Sequence, residues 1–167
     1  MNALEVRQKI LETVSKNGGH LASSLGAVEI AMALREVFDP ERDRVVWDVG
    51  HQAYAWKLLT GRWDDFGTLR KMGGISGFPN PNESKADAAI AGHAGVALSV
   101  AEGLAAARDR KGTDENVVAV IGDASIANGT SFEALNNCAA ATRRLIVVLN
   151  DNDMSIAKPT GSFARTP

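Results

Sequence analysis

The chain has 167 residues, of which 45% are hydrophobic and 23% charged, and 20 acidic against 18 basic side chains leave a net charge of −2. These are the proportions of a soluble globular protein, which excludes a disordered, collagenous or coiled-coil chain, and no basic excess points to nucleic acid or an anionic membrane. The longest apolar runs, residues 117–121 and 145–149, fall far short of the ~20 residues that span a bilayer. Residues 1–16 carry charge throughout and lack a signal-peptide core. With Cys138 as the single cysteine no internal disulfide can form, and a reducing, cytoplasmic setting is expected.

In chain order, Val6, Ile10, Leu11 and Val14 recur at helical spacing and predict a helix over residues 3–16, ended by Asn17-Gly18-Gly19. Ser23 and Ser24 are candidate caps of a second helix, with Ile30, Ala33, Leu34, Val37 and Phe38 on one apolar face and Asp39-Pro40 as its stop. Residues 44–49 read as a short strand running into Gly50-His51, and residues 52–60 as helical. Residues 61–92 lack clear periodicity and hold six glycines and two prolines; a stretch of this length is expected to be a long ordered loop. Its anchors would be Trp63, Phe66, Leu69, Met72 and Phe78, with Arg62, Asp64 and Asp65 on a solvated face. A helix over 93–109, a strand over 116–122, a helix over 130–141 and a strand over 145–150 follow. Trp47 and Trp56 are expected in the core, and Cys138 as a helix packing residue.

Short apolar strands alternating with helices predict an α/β fold, a parallel sheet with helices on both faces. Ligands of such sheets bind at the carboxyl ends of the strands. Three strand ends carry polar residues: Gly50-His51, Gly122-Asp123 and Asn150-Asp151-Asn152. All three histidines, His20, His51 and His93, follow a glycine, which by glycine frequency alone has a chance of roughly one in a thousand. Asp123 and the Asn152 amide are oxygen donors of the kind Mg²⁺ takes beside a substrate phosphate, and the helix beginning near Gly129 would aim N–H groups at that phosphate. The same two residues also read as a helix cap and a turn asparagine, and spacing alone does not separate the two readings. No Gly-x-Gly-x-x-Gly follows any strand, which argues against a nucleotide-binding Rossmann domain.

Gly122-Asp123 followed by Asn150-Asp151-Asn152 resembles the thiamin diphosphate motif. The stretches GGHLASSLGAVEIAMAL, VVWDVGHQAYAWKLLTGRWDDFGTLRKMGGISGFPNPNES, GHAGVALSVAEGLAAARD and VVAVIGDASIANGTSFEALNN resemble the N-terminal, thiamin-diphosphate-binding part of the 1-deoxy-D-xylulose-5-phosphate synthase family, within the transketolase-like superfamily. The resemblance covers nearly the whole chain. Its WDVGHQAY and GGISGFP blocks set it apart from ordinary transketolases.

The resemblance implies thiamin diphosphate and Mg²⁺ as cofactors. Asp123, the Asn152 side chain and the Met154 carbonyl would hold the metal. His51, Gly92, His93, Ala94, Ala124, Ser125 and Asn152 would line the cofactor. His20 and His51 would be the catalytic residues that move protons or meet substrate oxygens. The implied reaction joins pyruvate, with loss of CO₂, to glyceraldehyde 3-phosphate, giving 1-deoxy-D-xylulose 5-phosphate for isoprenoid and thiamin biosynthesis. The full-length form is expected to be a homodimer.

The sequence departs from the family pattern at Ala124, which replaces the last glycine of Gly-Asp-Gly, at Ala94 and Gly95, where serines are usual, and at Ala86, where an aromatic residue is frequent. The family glutamate that protonates the aminopyrimidine lies on a second domain, and no glutamate here takes that role. The expectation is therefore the N-terminal portion of a diphosphate-binding domain over residues 1–167, incomplete and inactive alone, with sparsely covered sheet faces and the remaining domains on missing or partner polypeptide. The other readings are a subunit of a split transketolase-type enzyme with its remaining domains on a separate polypeptide, a sugar transketolase-type protein, which would take a ketose phosphate rather than pyruvate as donor, and a catalytically dead binding or assembly module.

Overall fold

A computed structural model describes residues 1–151 of the chain. Three helices come first: α1 (Ala3–Asn17), α2 (Leu21–Gly26) and α3 (Val28–Val37). Strand β1 (Arg44–Trp47) and helix α4 (Tyr54–Leu59) lead into the long connection, whose regular element is a 3₁₀ turn at Asp65–Thr68. Helix α5 (Ala97–Lys111), strand β2 (Val117–Gly122), the short α6 (Asp123–Ile126), α7 (Gly129–Ala141) and β3 (Leu145–Asn150) follow. The strands pair in the order β1-β2-β3, all parallel, from Arg44 opposite Val117 to Gly122 opposite Asn150. Their carboxyl ends therefore share one edge of the sheet, as expected for this α/β fold.

Alternation along the strands builds two cores. Val45, Trp47, Val118 and Val120 point to one face, against Val6 and Ile10 of α1, Val28 and Leu34 of α3, and Trp56 of α4. Val46, Val117, Ala119 and Ile121 point to the other, against Leu98, Ala101 and Ala105 of α5 and Ala134 of α7. Trp47 and Trp56 are buried with ring centroids 6.1 Å apart, an offset that suits the ring quadrupoles. Strand β3 is different. Val148 and Leu145 pack partly on the two cores, whereas Ile146, Val147 and Leu149 remain 38%, 36% and 47% exposed, so the sheet is open on this side.

Several local expectations change. The second helix is two, broken at Ala27, and its buried face is Val28, Ala31 and Leu34, with Val37 71% exposed. Ser23 and Ser24 lie inside α2 and cap nothing; His20 holds the N-cap position. The next helix begins at Ala97, not 93, which leaves Gly92, His93 and Ala94 in a loop. On α7 the buried positions are Ser131 and Ala134, with Phe132 37% exposed. Helical spacing fixed the elements; the neighbouring layer decided which stripe is covered.

The long connection is anchored by Phe66, Leu69 and Ile75, while Met72 is exposed. Arg62 is buried rather than solvated. Its guanidinium forks onto Asp87, with Nη1 2.5 Å and Nη2 3.0 Å from the two carboxylate oxygens. Lys57, also buried, reaches Glu83 at 2.7 Å and Asp87 at 3.7 Å. Burial pushes the Lys57 ammonium below its usual range, against the pull of Glu83 and Asp87. The carboxylates serve the backbone as well: Glu83 accepts from the Ser76 N–H at 2.6 Å and Asp87 from the Asn80 N–H at 2.7 Å.

Asp87→Ala leaves two buried cations sharing Glu83. It is expected to lower unfolding stability by about 3–5 kcal/mol, the usual result of removing one partner of a buried pair, read from urea denaturation monitored by tryptophan fluorescence. A loss under about 1 kcal/mol would mean that the cluster carries no such load.

Candidate functional site

The chain leaves β1 through a strained turn. Val49 has φ 61° and Gly50 φ 79°, two successive left-handed residues, and the first is β-branched, which is rare and costs on the order of 1–3 kcal/mol. A Cβ on Gly50 would stand 2.3 Å from Cδ of Pro79, so glycine is required there for two reasons. This turn leads directly into His51. Ser24 Oγ and Ser23 Oγ donate to the His51 carbonyl at 2.8 and 3.3 Å, which is the work these serines do in place of capping. Gly19, at φ 140°, lets the Tyr54 hydroxyl approach where its own Cβ would stand 2.7 Å away. The third Gly–His pair is different: Gly92 has no atom within reach of an added Cβ.

His20 and His51 meet edge to face, ring centroids 5.7 Å apart, and His20 also lies 6.1 Å from the Phe78 ring. His51 is half-buried, and its Nδ1 is buried without a hydrogen-bond partner among the described residues. Its pKa is lowered from the ordinary 6.5, first by burial and then by repulsion from His20, with Asp48 pulling the other way. The ring is thus neutral at pH 7, able to accept a proton or to donate one from whichever nitrogen carries it.

The other walls are tied to this one. Asp48, 1% exposed, accepts from the Gly95 N–H at 3.0 Å and from the Ala97 N–H at 3.2 Å, so the end of β1 holds the 92–97 loop. From the far side, Asn128 caps α7 by accepting from the Thr130 N–H at 3.1 Å, and its amide donates to the Ala94 carbonyl at 3.4 Å. Buried Ser131 donates to the Ser125 carbonyl at 2.7 Å and lies 3.2 Å from that of Gly95. The expected cofactor-lining stretches, Gly92, His93 and Ala94 on one side and Ala124 and Ser125 on the other, are therefore joined through the first turn of α7. Gly92, His93 and Ala94 are solvent-exposed. Gln52 and Asn150 meet at 3.2 Å, linking the segment after β1 to the end of β3 across β2.

Asp123 opens α6 at the end of β2, half-buried and with no cation or hydrogen-bond donor on its carboxylate among the described residues. No group of three or more His, Cys, Asp or Glu side chains is placed to hold a metal among those residues. Asn152 and Met154, the other expected Mg²⁺ ligands, lie outside the described residues. Asp48, Asn128 and Ser131 were not singled out from the sequence. Asp48 carried a signal, an acidic residue at the end of an apolar strand; Asn128 carried a weaker one, an N-cap type before Gly129. A cavity of about 460 Å³ between Arg35, Asp39, Lys85 and Leu59 shares no residue with the strand ends. A second, about 240 Å³, is lined by His20, Tyr54, Arg70, Gly77 and Phe78. Among the described residues no helix is long and apolar enough to cross a membrane.

Comparison with known proteins gives this geometry a family. A family model described as 1-deoxy-D-xylulose-5-phosphate synthase matches residues 1–166. The 1-deoxy-D-xylulose-5-phosphate synthase of Nitratidesulfovibrio vulgaris (strain DP4) is 57% identical over 162 residues, 97% of this chain and 25% of that protein. Those of Lawsonia intracellularis and Desulforudis audaxviator are each 55% identical, over 162 and 163 residues, covering 97% and 98% of this chain and 25% and 26% of theirs. The chain thus spans about a quarter of the length of the relatives it matches. Matched along 166 of its residues, and more than half identical to these relatives, the chain belongs to the 1-deoxy-D-xylulose-5-phosphate synthase family.

Proposed function

We propose that this chain is the thiamin-diphosphate- and Mg²⁺-binding part of a synthase that condenses pyruvate, with loss of CO₂, and glyceraldehyde 3-phosphate into 1-deoxy-D-xylulose 5-phosphate. The observation that carries this is the convergence of His20, His51, the 92–95 loop and Asp123 on one edge of a parallel sheet. The residues present fit the group. The buried Nδ1 of His51 is an orphan that a polar ligand would satisfy. Among the described residues the Asp123 carboxylate is uncommitted at a strand end, an oxygen donor suited to Mg²⁺. Thiamin diphosphate supplies the carbanion that the amino acids cannot.

The protein's own share is orientation and proton handling. Asp123, with Asn152 and Met154, would hold the metal, and the 92–94 and 124–125 stretches would bracket the cofactor. His51, neutral at pH 7, is ready to take or pass a proton, and His20 stands beside it at the N-cap of α2. Repulsion from His20 is one of the causes that hold the His51 pKa down. Cytoplasmic location and a homodimeric full-length form accompany this reading. The 167 residues cover only a quarter of the relatives, and the family's proton-donating glutamate falls, by resemblance, outside that quarter.

Calorimetry on the chain is expected to show thiamin diphosphate binding that requires Mg²⁺, weakened at least tenfold in Asp123→Ala; binding indifferent to Mg²⁺ and to the substitution would leave a dead assembly module instead. The chain given pyruvate, glyceraldehyde 3-phosphate, Mg²⁺ and thiamin diphosphate should release no CO₂ above background, and clear turnover would disprove its dependence on further polypeptide. His51 should titrate below 6.5 by NMR, and His20→Gln should move that midpoint upward. In the window below 6.5 the unfolded chain binds a proton that the folded chain refuses, so stability is full above 6.5 and declines as pH falls toward the His51 midpoint. A midpoint at or above 6.5, unmoved by His20→Gln, would contradict the pairing.

A further inference from the structure

We propose that Asn128 is a positioning residue for the cofactor: its side chain sets the spacing between residues 92–94 and residues 124–125, and acts on cofactor affinity through them. The inference rests on the reading that these two stretches bracket thiamin diphosphate.

The loop needs an outside holder. Ala94 and Gly95 carry no polar side chain, so they hydrogen-bond only through their backbone groups. Asp48 accepts the Gly95 N–H at 3.0 Å, which fixes the loop to β1 and leaves its distance from α6 open. Ser131 has one proton, and its nearer acceptor is the Ser125 carbonyl at 2.7 Å, not that of Gly95 at 3.2 Å. Among the described residues the Asn128 amide is the remaining side-chain donor to the loop, with Nδ2 3.4 Å from the Ala94 carbonyl. That bond is long for N–H···O, and packing adds to it. Gly95, at φ 81°, turns a bare Cα to the same side chain. A Cβ there would stand 2.7 Å from Cγ, 2.8 Å from Cβ and 2.9 Å from Nδ2 of Asn128. The Asn128 side chain therefore sits directly on the loop backbone.

The other stretch is reached through the same residue. The Asn128 N–H donates to the Ser125 carbonyl at 3.1 Å, and the Asn128 carbonyl accepts from the Phe132 N–H at 3.1 Å. Its Oδ1 accepts from the Thr130 N–H at 3.1 Å. One residue thus joins the loop, the end of α6 and the first turn of α7. The two ends of its amide serve different segments, the oxygen its own helix and the nitrogen the loop. Capping a helix uses only the oxygen, so the nitrogen is the part that capping does not explain. Two stretches already held at a fixed spacing need not be ordered when a diphosphate enters between them, which lowers the ordering cost of binding.

The test separates cap from tie. Serine caps a helix as well as asparagine does, but from position 128 it is too short to reach the Ala94 carbonyl. Asn128→Ser should therefore keep the urea midpoint of the unsubstituted chain. In the same protein the Gly95 amide hydrogen should exchange at least fivefold faster, as a loop that opens more often does. Mg²⁺-dependent thiamin diphosphate binding, read by calorimetry, should weaken at least fivefold. Asn128→Ala should show the same loosening with a lower urea midpoint as well. Gly95→Ala should lose more affinity in the unsubstituted chain than in Asn128→Ala, because left-handed strain is common to both backgrounds and the collision is not. If Asn128→Ser binds the cofactor within twofold of the unsubstituted chain, or leaves Gly95 exchange unchanged, Asn128 is a cap only and the proposal is wrong. Either result, with cofactor binding intact in the unsubstituted chain, strikes this inference alone. If the unsubstituted chain binds no thiamin diphosphate, the earlier reading fails and this one falls with it.

Discussion

The Asp48 carboxylate sits at the carboxyl end of β1, 1% exposed and without a cation among the described residues. An isolated buried charge costs several kcal/mol unless hydrogen bonds replace its water. Here the Gly95 N–H is shared between both carboxylate oxygens and the Ala97 N–H meets one of them. Ala97 opens the fifteen-residue helix α5, so the bonds come from free N–H groups at the positive end of a helix, where an anion is favoured. The bonds bind in both directions. They fix the 92–97 loop against the sheet, and they hold the end of β1 where Val49 must take its left-handed conformation. His51 emerges from that turn, and the His93 loop is held by the same carboxylate.

A second buried polar cluster does for the long connection what Asp48 does for the strand end. Glu83 and Asp87 neutralise Lys57 and Arg62, and their oxygens also accept from the backbone at Ser76 and Asn80. Those two residues flank Gly77, Phe78 and Pro79, the segment that walls the His20 cavity and crowds Gly50. A long loop of this kind would ordinarily be loose. This one is pinned by charges on both sides of its site-facing turn, so the positions of Arg70 and Phe78 depend on residues that never face the site.

Much of this was legible in the sequence, and the pattern of success has a physical cause. Parallel strands came through because 117–121 is apolar at every position, the signature of a strand covered on both faces. His20 and His51 each follow a glycine, and at both positions the structure uses that glycine for close approach. Gly92 shares the sequence feature without the geometric reason. What was hidden is what depends on partners far along the chain. Arg62 looks like a surface charge until Asp87, 25 residues away, comes beside it. Ser23 and Ser24 look like caps until the His51 carbonyl arrives. Arg70 stood in an unremarkable loop, and its left-handed backbone cannot be read from a residue type that normally avoids it.

The two sides of the site rest on unequal ground. His20, His51 and Asp48 are attached to β1 and α2, which share the larger core with α1, α3 and α4. Asp123 and Ser125 are attached to the end of β2 and to α7, beside a third strand whose Ile146, Val147 and Leu149 remain in solvent. Local stability follows buried apolar contact, so the first wall should open rarely and the second more readily. A ligand that bridges them stabilises the weaker wall by its own binding free energy, since it binds only when both are in place. Metal and diphosphate at Asp123 would then do more than supply chemistry: they would fasten the less covered side of the sheet to the side that Asp48 already holds.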